Sequence, residues 1–241
     1  MGEYFDEQVA AYERWYTTPL GQLVDRVEKE AVFGLLPQLK GKRVLDAGSG
    51  TGNFALALAR RQARVVGLDR SAAMQIAARR KAQEQGLPLL WTRGNVTHLP
   101  FTDASFEGVT CILALDFITD RQAALRELVR VLGPGGFFLL AVLNRYSLWT
   151  LKRTLKALVK PSLWRGVRFI SRTELNRLIR GEPDLIKIHC GQAVFFPPWK
   201  SPRLVRYYPY LETLGKKLWP PAAAFLVVAA KKKKTSLGGA R

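Results

Sequence analysis

The run Arg43–Leu58, RVLDAGSGTGNFALAL, constrains this chain more than any other stretch of it. An apolar segment ends at an acid, glycines follow at alternate positions (Gly48, Gly50 and Gly52), and an apolar helix begins at once. Alternate glycines let the backbone turn tightly and approach a neighbour with no Cβ in the way. In a strand–turn–helix setting such a loop lies at the carboxyl end of a parallel strand, so the run commits the chain to an α/β architecture. A loop in that place cradles a nucleotide-like molecule.

Two kinds of nucleotide compete for it. The dinucleotide fingerprint is G-x-G-x-x-G, with a pyrophosphate on the helix N-terminus. Here the spacing is G-x-G-x-G, and Asn53 stands where the third dinucleotide glycine belongs. Asp46, two residues before Gly48, stands where a pyrophosphate-binding loop gains nothing from a carboxylate, and it suits a ligand with an amino group or a sulfonium. Downstream, Arg64–Leu68 reads as a second short strand ending at Asp69, placed to accept hydrogen bonds from both hydroxyls of a ribose. The competing reading of Asp69, and of Ser71 beside it, is a helix N-cap.

With these residues in place, the chain resembles the class I S-adenosylmethionine-dependent methyltransferases, the broad family that includes ubiquinone and menaquinone biosynthesis methyltransferases. The likeness runs from about Lys42 to Asn144 through VLDAGSGTG, VVGLDRSAAM, GNVTHLPF, SFEGVTCILALDF and LRELVRVLGPGGFFLLAVLN. It implies S-adenosylmethionine as cofactor, held by Asp46, Gly48, Ser49, Gly50, Gly52, Asp69, Arg70, Met74, Asn95, Val96 and Leu113. Asp46 would reach the amino group and Asp69 the ribose, with Met74, and Ser71 outside that set, beside the adenosine. Met74 reads equally as core filler. Leu113 and Ala114 would close the fourth strand near the methionine portion. Asn95 replaces the acid usual at the adenine edge, though its amide oxygen can still accept a hydrogen bond. Many relatives carry a histidine after the fourth strand; this chain has Asp116 there, in ALDF, and Asp116 is the catalytic candidate, as proton acceptor. Its alternative is a capping or solvent-facing acid. His98 reads as structural, and Tyr12 and Tyr16 fall on a segment that in this family folds over the cofactor.

The expected fold is α/β: a doubly wound, Rossmann-like, seven-stranded, mostly parallel sheet with an antiparallel final strand. An N-terminal helical segment and a basic helical insertion after strand 5 complete it. At 241 residues one domain is the natural count. It divides into a helical cap (1–40), a cofactor-binding core (41–144), a basic lid or insertion (145–181) and C-terminal strands at Leu185–Cys190 and Ala223–Ala230 (182–230). A Pro- and aromatic-rich loop, FFPPWKSPRLVRYYPY, separates those strands, and 231–241 is expected to be a disordered basic tail. Cys111 and Cys190 suggest neither a disulfide framework nor a metal site and read as buried small apolar residues. With no apolar run near the length of a membrane span and an acidic start unlike a secretory signal, the expected location is cytoplasmic.

The acceptor question turns on the basic segment. From Arg145 to Arg180 there are ten Lys/Arg and one acid, Glu174. Within YSLWTLKRTLKALVK, Leu148, Leu151, Leu155 and Leu158 recur at helical spacing with Lys152, Lys156 and Lys160 on other faces. Such a helix is a lid packing its leucines on the core or, with Trp149 and Trp164 and a net charge of +19, a surface for anionic membrane. The function expected is methyl transfer by in-line displacement to a small, apolar, lipid- or quinone-like acceptor. The alternatives are an RNA-directed methyltransferase, suggested by charge alone, and an S-adenosylmethionine-binding protein without catalysis.

Overall fold

The computed structural model describes residues 2–159, 162 and 164–234, with the side chains of residues 2–7, Ile188 and Pro202 left aside. Seven strands form one sheet in the order β3-β2-β1-β4-β5-β7-β6: β1 (Arg43–Ala47), β2 (Arg64–Asp69), β3 (Leu90–Arg93), β4 (Phe106–Ile112), β5 (Leu132–Leu143), β6 (Leu185–Ala193) and β7 (Phe225–Lys232). The first five pair in parallel, and β7 runs antiparallel to β5 and to β6. The sheet therefore reverses its strand order between β1 and β4, the switch point at which open α/β sheets bind ligands.

The helices are α1 (Gly2–Thr17), α2 (Pro19–Phe33), α3 (Asn53–Ala59), α4 (Ala72–Glu84), α5 (Arg121–Val131), α6 (Leu148–Val159), α7 (Arg172–Arg180), α8 (Pro202–Val205) and α9 (Tyr208–Leu218). Local chemistry sets their starts. Thr18, Ser71, Asp120 and Ser171 each accept a backbone N–H of the first turn through a side-chain oxygen, and Pro19 pre-sets the first residue of α2. Ser71 is thus a helix cap.

The central strands are buried on both faces, and their side chains alternate between two cores. Phe138, Leu140 and Val142 of β5 face α5 and α7, whereas Leu139 and Ala141 face α2 and Trp149. At the base of β5 the pairing jumps from Phe106↔Leu132 to Gly108↔Phe137, so the GPGG of the sequence is absorbed as a bulge in the strand.

Four expectations need correction. The Pro- and aromatic-rich segment after β6 is not all loop: α8 and α9 occupy it, with Pro202 and Pro209 in their first turns, where a missing N–H costs nothing. The basic tail starts later than 231, because β7 carries Lys231 and Lys232, and the Lys232 ammonium donates to the carbonyls of Val129 and Leu132. Residues 235–241 lie outside the described residues. Cys190 is exposed on the edge strand β6, unlike Cys111 in the core. Finally, α6 does not pack its leucines inward: Leu148, Leu151, Leu155 and Leu158 are between 54% and 73% exposed. No described helix is long and apolar enough to cross a membrane.

Candidate active site

The glycine loop between β1 and α3 adopts left-handed conformations at Gly48, Gly50 and Gly52. A Cβ on Gly48 would lie 2.3 Å from that of Ala114, so this glycine permits the close approach of the β1 and β4 tips. A Cβ on Gly50 would meet nothing within 4 Å, leaving that side of the loop open to a ligand.

Asp69, at the tip of β2, holds the loop. One carboxylate oxygen accepts from the Gly50 N–H at 2.8 Å and the other from the Ser71 N–H at 2.9 Å. Each oxygen keeps a further lone pair for a diol. Burial pushes this carboxyl up, opposed by those backbone donors.

Asp46 is 2% exposed at the end of β1. Its Oδ1 accepts from the Thr110 hydroxyl at 2.9 Å, on the β4 residue paired with it, and its Oδ2 is buried without a partner. Burial raises its pKa to about 7, tempered by Thr110. The Ser49 hydroxyl is buried and unpartnered as well. An unpaired buried acceptor beside an open glycine loop fits a cationic amino group or sulfonium, so the residues present fit S-adenosylmethionine.

The remaining expected residues divide. Leu113, at the end of β4, sits at φ +57°, a strained conformation for a bulky residue and one that clusters at functional sites. Arg70 follows directly on Asp69 at the same sheet edge, and Val96 is buried in the core beside Leu68 and Leu99. Met74 is buried, with its N–H donated to the Ser71 cap. Asn95 is exposed, and its Oδ1 accepts from the Thr97 N–H within a tight turn. His98 lies exposed in the same turn, its ring bonded to the Thr97 hydroxyl.

α1 closes over this end of the sheet. Lys81 on α4 donates to Glu13 of α1 at 2.9 Å, to Asn53 at 2.8 Å and to Thr51 at 3.2 Å, clasping α1 to the glycine loop. The Tyr12 and Tyr16 hydroxyls lie 3.0 Å apart, and burial raises both phenols, Tyr12 to about 12.

Asp116, in a helical turn at Leu115–Phe117, is 2% exposed and so not a solvent-facing acid. Its Oδ2 accepts from the Leu143 N–H at 3.1 Å, and Oδ1 is buried with no partner. Burial lifts its pKa to about 7, opposed by that N–H and by the charges of Arg121 and Arg153. A carboxyl poised near neutrality with a free oxygen is suited to taking a proton.

Sequence reasoning missed Glu28 on α2 and Arg153 on α6. Glu28 is buried, and its pKa rises to about 8 by burial, with Arg153 opposing. The available signal for Arg153 was helical phase: Trp149, Arg153 and Ala157 share the face opposite the leucines.

Residues 45–140 match a family model described as a methyltransferase domain. A ubiquinone biosynthesis O-methyltransferase from Alkalilimnicola ehrlichii is 32% identical over 190 residues, covering 73% of this chain and 75% of that protein. A demethylmenaquinone methyltransferase from Thermus thermophilus is 43% identical over 97 residues, covering 39% of this chain but only 44% of its own length. The chain thus spans less than half of several curated relatives it matches. Among solved structures, an S-adenosylmethionine-dependent methyltransferase from Thermotoga maritima superposes with a TM-score of 0.75 at 24% identity, over 97% of this chain and 100% of that one. That likeness concerns the fold.

Proposed function

This chain belongs to the class I S-adenosylmethionine-dependent methyltransferases, and we propose that it moves a methyl group to a small, apolar, lipid- or quinone-like acceptor drawn from a membrane surface. When bound, the donor supplies an electrophilic methyl on a sulfonium, so the chain's own task is to position, desolvate and manage a proton. In this reading the Gly48–Gly52 loop and Asp46 hold the methionine portion, Asp69 holds the ribose, and Asp116 takes a proton from the acceptor. α1, clasped by Lys81, excludes water from above.

One observation carries the acceptor class: the orientation of α6. Its leucines face solvent beside Lys152 and Lys156, so the helix presents an apolar stripe with cationic flanks. Lys152 also donates to the Pro198 carbonyl, which brings α6 beside the segment leading into α8 and α9, where Trp199, Tyr210, Leu214, Leu218 and Trp219 are exposed too. A chain of net charge +19 with such a surface suits an anionic bilayer. The names of the relatives, quinone biosynthesis methyltransferases, point to the same apolar acceptor class.

The test is to incubate the protein and labelled donor with cell extract and partition the products into lipid, aqueous and RNA fractions. Label is expected in the lipid fraction. Label confined to RNA overturns the acceptor class, and no transferred label in any fraction favours a binding protein without catalysis.

A further inference from the structure

α6 is amphipathic in an unexpected sense: its leucines point out and its arginine points in. The Arg153 guanidinium lies 5.4 Å from the ring centre of Trp149 and 4.5 Å from that of Trp164, so two indoles hold the cation. Its Nη1 is buried and has no hydrogen-bond partner. The carboxylates whose charge it feels are Glu28 of α2 and Asp116, yet among the described residues none lies within 4.0 Å of it as an ion pair. Asp116, for its part, keeps Oδ1 buried and unbonded. A buried donor and a buried acceptor thus each lack a partner, on two residues near enough to feel each other's charge. Leaving such groups unsatisfied is costly unless a ligand completes them.

We infer that Arg153 recognises an ionisable oxygen of the methyl acceptor, the hydroxyl of a phenol or enol, and holds it as an oxyanion. The inference rests on the methyltransferase reading. The hydroxyl proton passes to Asp116 Oδ1, and the negative charge left on oxygen faces the Arg153 N–H. An electron pair from that oxygen, or from the carbon conjugated to it, then bonds the methyl carbon. The sulfur–methyl bond breaks, and its electrons leave on the neutral thioether. If carbon is methylated, the proton on that carbon then passes to solvent water, which restores the aromatic ring as an oxyanion, and Asp116 returns its proton to that oxygen. Guanidinium suits this work because it remains charged even when desolvated.

The test uses three reduced probes in titration calorimetry with S-adenosylhomocysteine present: a prenylated 1,4-naphthohydroquinone, its dimethyl ether and the unprenylated hydroquinone. The native chain is expected to prefer the free prenylated hydroquinone over its ether by at least tenfold. Arg153→Met should abolish that preference, mainly by weakening the free hydroxyl form, while Arg153→Lys should retain part of it. S-adenosylhomocysteine affinity should not change in either variant. If Arg153→Met fails to bind S-adenosylhomocysteine, Arg153→Lys decides, with at least a threefold loss of preference expected. A native chain that does not discriminate hydroxyl from ether, whether it binds both or neither, overturns the assignment, as does a deciding variant that keeps the full preference. Equal affinity for the prenylated and unprenylated hydroquinones, with the ether rejected, keeps Arg153 in its role and refutes the apolar-acceptor reading instead.

Discussion

Two alanine substitutions in the glycine loop separate its folding role from its binding role. At Gly50 a Cβ would meet no protein atom within 4 Å, so the cost to the fold is the left-handed backbone alone, at φ +53°. That strain is about 1 kcal/mol, or a fall of about 2–4 °C in Tm for a chain of this size. The new methyl group would occupy the open side of the loop. If the donor packs there, the overlap costs about 3 kcal/mol, which is about a 100-fold loss of affinity. At Gly48 the balance reverses, because its Cβ would stand 2.3 Å from that of Ala114, far inside the ~3.5–4.0 Å at which carbons pack. Adding backbone strain at φ +73°, Gly48→Ala should cost about 2–4 kcal/mol and about 5–15 °C in Tm. Thermal melts of the unliganded proteins read the first quantity, and calorimetric titration with S-adenosylmethionine reads the second. Gly50→Ala that binds S-adenosylmethionine as the native chain does, or that loses as much stability as Gly48→Ala, would refute this account of the loop.

Three further outcomes are expected. Burial lifts Asp46 and Asp116 to about 7 and Glu28 to about 8; the folded state therefore holds protons that the unfolded chain releases above about pH 4–5. The unliganded protein should melt at a higher temperature near pH 5.5 than at pH 8.5, and Asp46→Asn should raise Tm at pH 8.5 while weakening S-adenosylmethionine; a lower Tm for that variant contradicts the burial argument. Leu151→Glu with Leu155→Glu should leave Tm within about 2 °C, since exposed positions contribute little, but should abolish co-sedimentation with vesicles containing 30% anionic lipid; undiminished binding removes α6 from the membrane surface. Glu212 is buried on α9 and accepts the N–H groups of Val194 and Phe195 at 3.1 and 2.7 Å. Glu212→Ala, by orphaning two backbone donors, should cost about 2–4 kcal/mol with little change in S-adenosylmethionine affinity, and a neutral effect on Tm would show that α9 is not anchored there.

Much of the fold was legible because its signals are local. Strand–turn–helix alternation between residues 41 and 144 follows from apolar runs of strand length broken by glycines, and the bulged GPGG still marks the entry to β5. The segment at 195–210 misled because prolines and tyrosines read as loop, while in the folded chain prolines in first turns start α8 and α9. Cys190 misled for a similar reason: its neighbours alternate as in a strand, but only the sheet order shows that β6 is an edge. The capping role of Ser71 became visible only when α4 was seen to begin with its hydroxyl on the Met74 N–H.

The donor side and the acceptor side differ in how they are encoded. Asp46, Gly48, Gly50 and Asp69 lie within 24 residues of one another along one β–α–β unit, so backbone conformation and strand register alone bring them together. That is why the sequence by itself determined the fold class and the donor. The proposed acceptor side draws Asp116 from the turn after β4 and Arg153 from α6, with Glu28 of α2 near enough for its charge to be felt by Arg153, and no short-range rule places these residues together. The pattern of α6 specifies an amphipathic helix but not which face turns inward. Only tertiary packing decided that, because Trp149 docks among α2, β5 and Phe196, with its indole N–H on the Phe196 carbonyl. That anchor turns Arg153 inward against Trp149 and Trp164 and leaves the leucines outside.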